Sequence, residues 1–110
     1  MAYCAVVIFI ETAVFTRQIS ALLADDEYAQ FQRMLAGSPE AGDFIPGTGG
    51  LRKIRMAAKG HGKRGGARVI YYYFTSASQI ALLLAYAKNE ADNLTAVQKK
   101  ALKQVIEQWR

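Results

Sequence analysis

The chain has 110 residues, 52% hydrophobic and 21% charged, with a net charge of +5 and an isoelectric point near 9.5. That size and mix fit one globular domain over residues 1–110 and exclude a disordered tail. A lone cysteine, Cys4, excludes an internal disulfide and a cysteine metal site, and no apolar run reaches the roughly 18 residues of a membrane span.

Residues 3–10, YCAVVIFI, are rich in β-branched and aromatic types and too short for a buried helix, which predicts a strand with Cys4 as a buried thiol. The apolar start lacks a basic leader and is interrupted by Glu11, so it reads as part of the domain, and a soluble cytoplasmic protein is expected. Val14, Phe15, Ile19, Leu22 and Leu23 then repeat at helical spacing. Asp25 is placed to cap a second helix running to about Leu35, with Tyr28, Phe31, Met34 and Leu35 on one face. Residues 37–50 hold both prolines and several glycines and read as a loop.

Strand alternation over 51–59 puts Leu51, Lys53, Arg55 and Ala57 on one face and Arg52, Ile54, Met56 and Ala58 on the other. A glycine-basic turn (60–66) leads to a strand over 67–75, and residues 76–79 turn the chain again. The run IALLLAYA (80–87) has the continuous apolarity of a central strand covered on both faces. Thr95, with Gln98 three residues on, has a capping-box signature for a last helix whose stripe would be Val97, Ala101, Val105 and Trp109. The order βααβββα, with the later strands forming a meander, predicts an α+β fold with both early helices on one sheet face.

Charge is segregated along this chain. Between Phe44 and Asn89 lie eight of the fourteen basic residues, seven of the nine glycines and none of the nine acids. Such a glycine-punctuated cationic stretch points to a polyanion, most simply nucleic acid. Lys53, Arg55 and Arg68 lie on adjacent predicted strands, where arginine forks and a compact ammonium can converge on phosphate. Arg52, Lys59, His61, Lys63 and Arg64 extend this surface as candidate RNA or ribosome contacts. Gly62-Lys63 resembles part of a phosphate-binding loop, but Arg64 stands where Ser or Thr would hold magnesium and the glycine spacing is wrong. His61 is the only histidine, so there is no histidine pair and no Cys/His cluster for zinc; no metal or other cofactor is expected. Tyr72, in the run 71–73, is a candidate for stacking on a base. Tyr86 and Lys88 fall at the end of the last strand, at the rim of the basic surface.

At GTGGLRKIRM, GHGKRGGARVIYYYF and LLLAYAKNE the chain resembles the RelE/HigB superfamily of bacterial toxins, and within it the HigB-like branch. The resemblance covers nearly the whole chain, including a final helix that ends in Trp. It implies a small RelE-like fold, mainly an antiparallel sheet with two N-terminal helices and a C-terminal one. It implies a ribosome-dependent, metal-independent mRNA endonuclease that cuts in the ribosomal A site. There the 2′-hydroxyl attacks the adjacent phosphate. The implied partners are a HigA-like antitoxin, the ribosome and mRNA, with operator DNA met only through the antitoxin complex and no membrane.

The family's basic catalytic motif falls on Lys53 and Arg55, its strand arginine on Arg68, and its basic strand-end position on Lys88. Some relatives use a tyrosine near the C-terminus as the base. No tyrosine follows Tyr86 here, which leaves Tyr86, Lys53 and His61 as candidates for proton transfer. The alternatives are a non-catalytic RNA- or DNA-binding protein using the same surface, and a catalytically dead paralogue that binds only its antitoxin.

Overall fold

The computed structural model describes residues 7–56, 66–87 and 94–109. Its elements are β1 (Ile8–Glu11), α1 (Ala13–Leu22), α2 (Asp25–Gly37), β2 (Asp43–Phe44), β3 (Arg52–Met56), β4 (Ala67–Phe74), β5 (Gln79–Ala87) and α3 (Ala96–Trp109). Five strands form one sheet in the order β1-β5-β4-β3-β2. The meander β3-β4-β5 is antiparallel as expected, and β1 joins β5 in parallel, which makes the sheet mixed.

The apolar spacing of the first two helices does what it predicts. Phe15, Ile19 and Leu22 of α1 and Phe31 and Leu35 of α2 are buried against Val69, Tyr71, Ile80 and Leu82 on one sheet face. Thr12 caps α1, its Oγ1 accepting from the Phe15 N–H at 3.0 Å and donating to the Leu83 carbonyl at 3.0 Å. Asp25 is not the cap of α2. Ala24 takes that place, its N–H donating to the Glu27 carboxylate at 2.9 Å, while Asp25, Asp26 and Glu27 fill the first turn and oppose the helix dipole. Tyr28 ties α2 to β1 by donating to Glu11 at 2.5 Å, and burial together with that carboxylate pushes its hydroxyl pKa well up.

The predicted loop 37–50 contains a strand. Asp43 and Phe44 pair with Lys53 and Arg52, so β2 forms one edge of the sheet. Tyr71, wholly buried, fixes this segment. Its hydroxyl accepts from the Gly42 N–H at 2.8 Å and donates to the Pro39 carbonyl at 2.9 Å.

The opposite sheet face packs Ile45, Leu51, Ile70, Ala81 and Leu83 against α3. The capping box of α3 forms as read: the Gln98 N–H donates to Thr95 Oγ1 and the Thr95 N–H to Gln98 Oε1. Its buried stripe differs from the expected one. Ile106 is buried and Leu102 partly so, whereas Val97 (78% exposed), Ala101 and Val105 face outward. Trp109 packs on Phe74 with ring centroids 6.0 Å apart. No helix among the described residues is long and apolar enough to cross a membrane.

Candidate active site

Side chains on β3 alternate, and the register of β3 against β4 decides which cations meet. Ile54 and Met56 pack on the α1/α2 side, so Lys53 and Arg55 share the α3 side with buried Leu51. Arg55 lies directly across from Arg68, and Arg68 lies directly across from Tyr86 on β5. Neighbouring strands are about 4.8 Å apart, so the three side chains form a row roughly 10 Å long across the sheet. Lys53 stands two residues along β3, about 7 Å from Arg55.

Tyr86 reaches this row because β5 is irregular. Pairing runs Ile70 with Leu84 and then Tyr71 with Leu82, which leaves Leu83 as an extra residue on β5. Leu83 and Leu84 consequently both pack on the α3 side, while Leu82 and Ala85 pack on the other. Strict alternation from Leu82 would have sent Tyr86 to the α1/α2 face. The bulge re-aims the end of the strand and turns Tyr86 toward Arg68.

Burial separates the two arginines. Arg68 is 5% exposed on a central strand, while Arg55 is exposed near the sheet edge. The Tyr86 hydroxyl oxygen is out of solvent contact. The row therefore combines a buried guanidinium with an exposed one and a phenol. Like charges directly opposed across a sheet are destabilising, and phosphate between Arg55 and Arg68 would offset that cost. Among the described residues no group of three or more His, Cys, Asp or Glu could hold a metal ion.

A family model described as the RelE toxin of the RelE/RelB toxin–antitoxin system matches residues 10–110. The chain belongs to the RelE toxin family. One chain of the intact E. coli RelBE toxin–antitoxin complex aligns with a TM-score of 0.53 at 14% identity, covering 74% of this chain and 96% of that one. The free E. coli toxin RelE, as a double arginine-to-alanine mutant, aligns with a TM-score of 0.51 at 15% identity, covering 78% and 87%. At such identities the likeness is one of fold, and it is the α+β fold expected from the element order.

On this RelE scaffold the other expected site residues divide. Arg52 does not join the row. It lies on the opposite sheet face, where its guanidinium donates to the Glu40 and Gly42 carbonyls at 3.1 and 2.8 Å and sits 3.9 Å over the Phe44 ring. These contacts clamp the segment before β2. Tyr72 shares the site face but is half-buried, its ring packed 4.7 Å from that of Phe74, so it is not an open stacking platform. Lys59, His61, Lys63, Arg64 and Lys88, like Cys4, lie outside the described residues.

Asp43 escaped the sequence reading. It lies directly across from Lys53, so the absence of nearby acids holds along the chain but not across the sheet. The acid-free stretch begins one residue after Asp43, and no signal in the 37–50 segment showed that it would pair with β3.

Proposed function

We propose that this RelE-family chain is the toxin of a type II toxin–antitoxin system, acting in the cytoplasm as a ribosome-dependent mRNA endonuclease of the HigB-like kind, with a HigA-like antitoxin. The observation that carries the reading is the row Arg55–Arg68–Tyr86, with Lys53 beside it.

In the reaction the ribose 2′-oxygen attacks the adjacent phosphorus and the bond to the 5′-oxygen breaks, leaving a 2′,3′-cyclic phosphate and a 5′-hydroxyl. One proton leaves the 2′-hydroxyl and one is taken up by the departing 5′-oxygen. Arg68 suits charge stabilisation at the phosphorane, because its guanidinium is held in a water-poor site and needs little reorganisation as charge develops. Arg55 and Lys53, on the more open strand, suit gripping the phosphate oxygens. Of the candidates for proton transfer, Tyr86 stands in the row itself, and Lys53 lies one side-chain step along β3. Among the described residues, the row itself holds no histidine or carboxylate to act as a dedicated base. Alignment of the mRNA by the ribosome would supply much of the missing rate, since positioning is worth several kcal/mol.

Primer extension on a defined mRNA, after adding the protein to programmed ribosomes, tests the reading. The expected result is a new cut in the A-site codon, absent without ribosomes and absent with Arg68→Ala. Binding to RNA or ribosomes without any cut would favour the non-catalytic protein or dead paralogue instead.

A further inference from the structure

Lys53 has a cationic neighbour from an element remote in sequence. Helix α3 starts beside β2 and β3, and Asp43, Ile45, Pro46, Lys53, Leu94 and Lys99 line a notch of about 130 Å³. That is roughly four times the 30 Å³ share of a water molecule. It accommodates a phosphate group with some of its hydration.

Lys99 is held more firmly than its neighbours on the helix. It is half-buried, whereas Lys100 and Lys103 are exposed. Its backbone is set by the α3 cap, with its N–H donating to the Thr95 carbonyl at 3.0 Å in the turn closed by the Thr95–Gln98 pair. The first turn of α3 carries no acid. Lys99 thus lines the notch with part of its side chain packed, as a lysine's apolar stem allows.

The notch is continuous with the row on the α3 side of the sheet. Lys53 belongs to both, because it lines the notch and shares a face with Arg55 about 7 Å away. That step is comparable with the distance between successive phosphates of an extended strand. Among the described residues lining the notch, two lysines stand against one carboxylate, Asp43. The Asp43 charge, facing Lys53 across the β2–β3 pair, limits how tightly an anion is held. A protein carboxylate could also satisfy two lysines, but continuity with the phosphate-binding row favours nucleic acid.

We infer that Lys53 and Lys99 bracket a phosphate of the RNA strand next to the scissile one, forming a positioning subsite that extends the active site onto α3. The inference rests on the RNA-cleaving reading above. Its test uses the full chain and a short single-stranded RNA, 2′-O-methylated throughout so that attack is blocked, with affinity measured across a salt series. Lys99→Met, which keeps the apolar stem, is expected to lower the slope of log affinity against log salt by about 0.7, the loss of one single-strand phosphate contact. Lys99→Arg should restore the slope, Lys100→Met should leave it unchanged, and Asp43→Asn should tighten binding severalfold. Equal slopes for Lys99→Met and Lys100→Met overturn the subsite. So does a Lys99→Met variant that loses affinity for the antitoxin while its RNA slope stays at the wild-type value. If ribosomal cleavage is absent but the Lys99 slope change is present, the subsite stands and the nuclease reading fails.

Discussion

Arg55 and Arg68 face each other across β3 and β4, and like charges so placed repel. Replacing exposed Arg55 with Thr removes the repulsion and installs a good strand former. Arg55→Thr should therefore raise folding stability by about 0.2–1 kcal/mol. A urea titration would show this as a higher midpoint with an unchanged slope, and cleavage should fall in the same variant. A lower midpoint would mean that Arg55 is held by favourable contacts, and the anion-binding account of the row would lose its energetic support. Arg52 shows how little residue type alone decides. It is the same kind of side chain three positions before Arg55, yet register turns it to the other face and onto backbone carbonyls. Alternation in the sequence separated those faces correctly, but it carried no sign that the opposite one would be clamped by the 40–42 backbone.

Among the elements, the short edge strand depends on a backbone that admits no side chain. A Cβ built on Gly42 would lie 2.8 Å from both Cε1 and the hydroxyl oxygen of Tyr71 and 3.1 Å from the Lys53 carbonyl oxygen. Tyr71 is wholly buried and the carbonyl belongs to β3, so neither can yield freely. Gly42→Ala should break the Gly42–Tyr71 hydrogen bond and cost about 1–3 kcal/mol, as expected for a stranded buried polar group. Urea unfolding checks the loss, and faster amide exchange at Phe44 and Arg52 would place it at β2–β3. Unchanged stability and exchange would show that the segment is not fixed through Tyr71. Helices, meander and terminal cap were legible because each has local periodicity or capping chemistry. The β2 pairing and the β5 bulge were not, because a two-residue strand has no period and an extra leucine in an all-apolar run changes no pattern. The last helix was misphased for a related reason: Val97 and Val105 are apolar, but sheet contacts select Leu102 and Ile106.

For the whole molecule, the sheet carries the charge segregation of the sequence into space only in part, because Asp43 faces Lys53 on the site face. Arg55 and Arg68 come from the acid-free stretch and meet Tyr86 from the same stretch, while Asp25, Asp26 and Glu27 open α2, which packs on the other sheet face. The clustering of bases was therefore visible in composition. The RelE fold was available from element order and from the resemblance of three segments. The site itself needed the register, because only cross-strand pairing shows that Arg68 sits between Arg55 and Tyr86. The central claim is that this row does chemistry and does not merely bind. Single-turnover cleavage of A-site mRNA on programmed ribosomes, measured together with ribosome affinity for wild type and Arg68→Ala, tests it most directly. Arg68→Ala should lose cleavage rate by about 100-fold or more, the scale of removing one charge-stabilising group, with affinity changed by only a few-fold. A rate that survives, or a loss accounted for wholly by weaker binding, would contradict it.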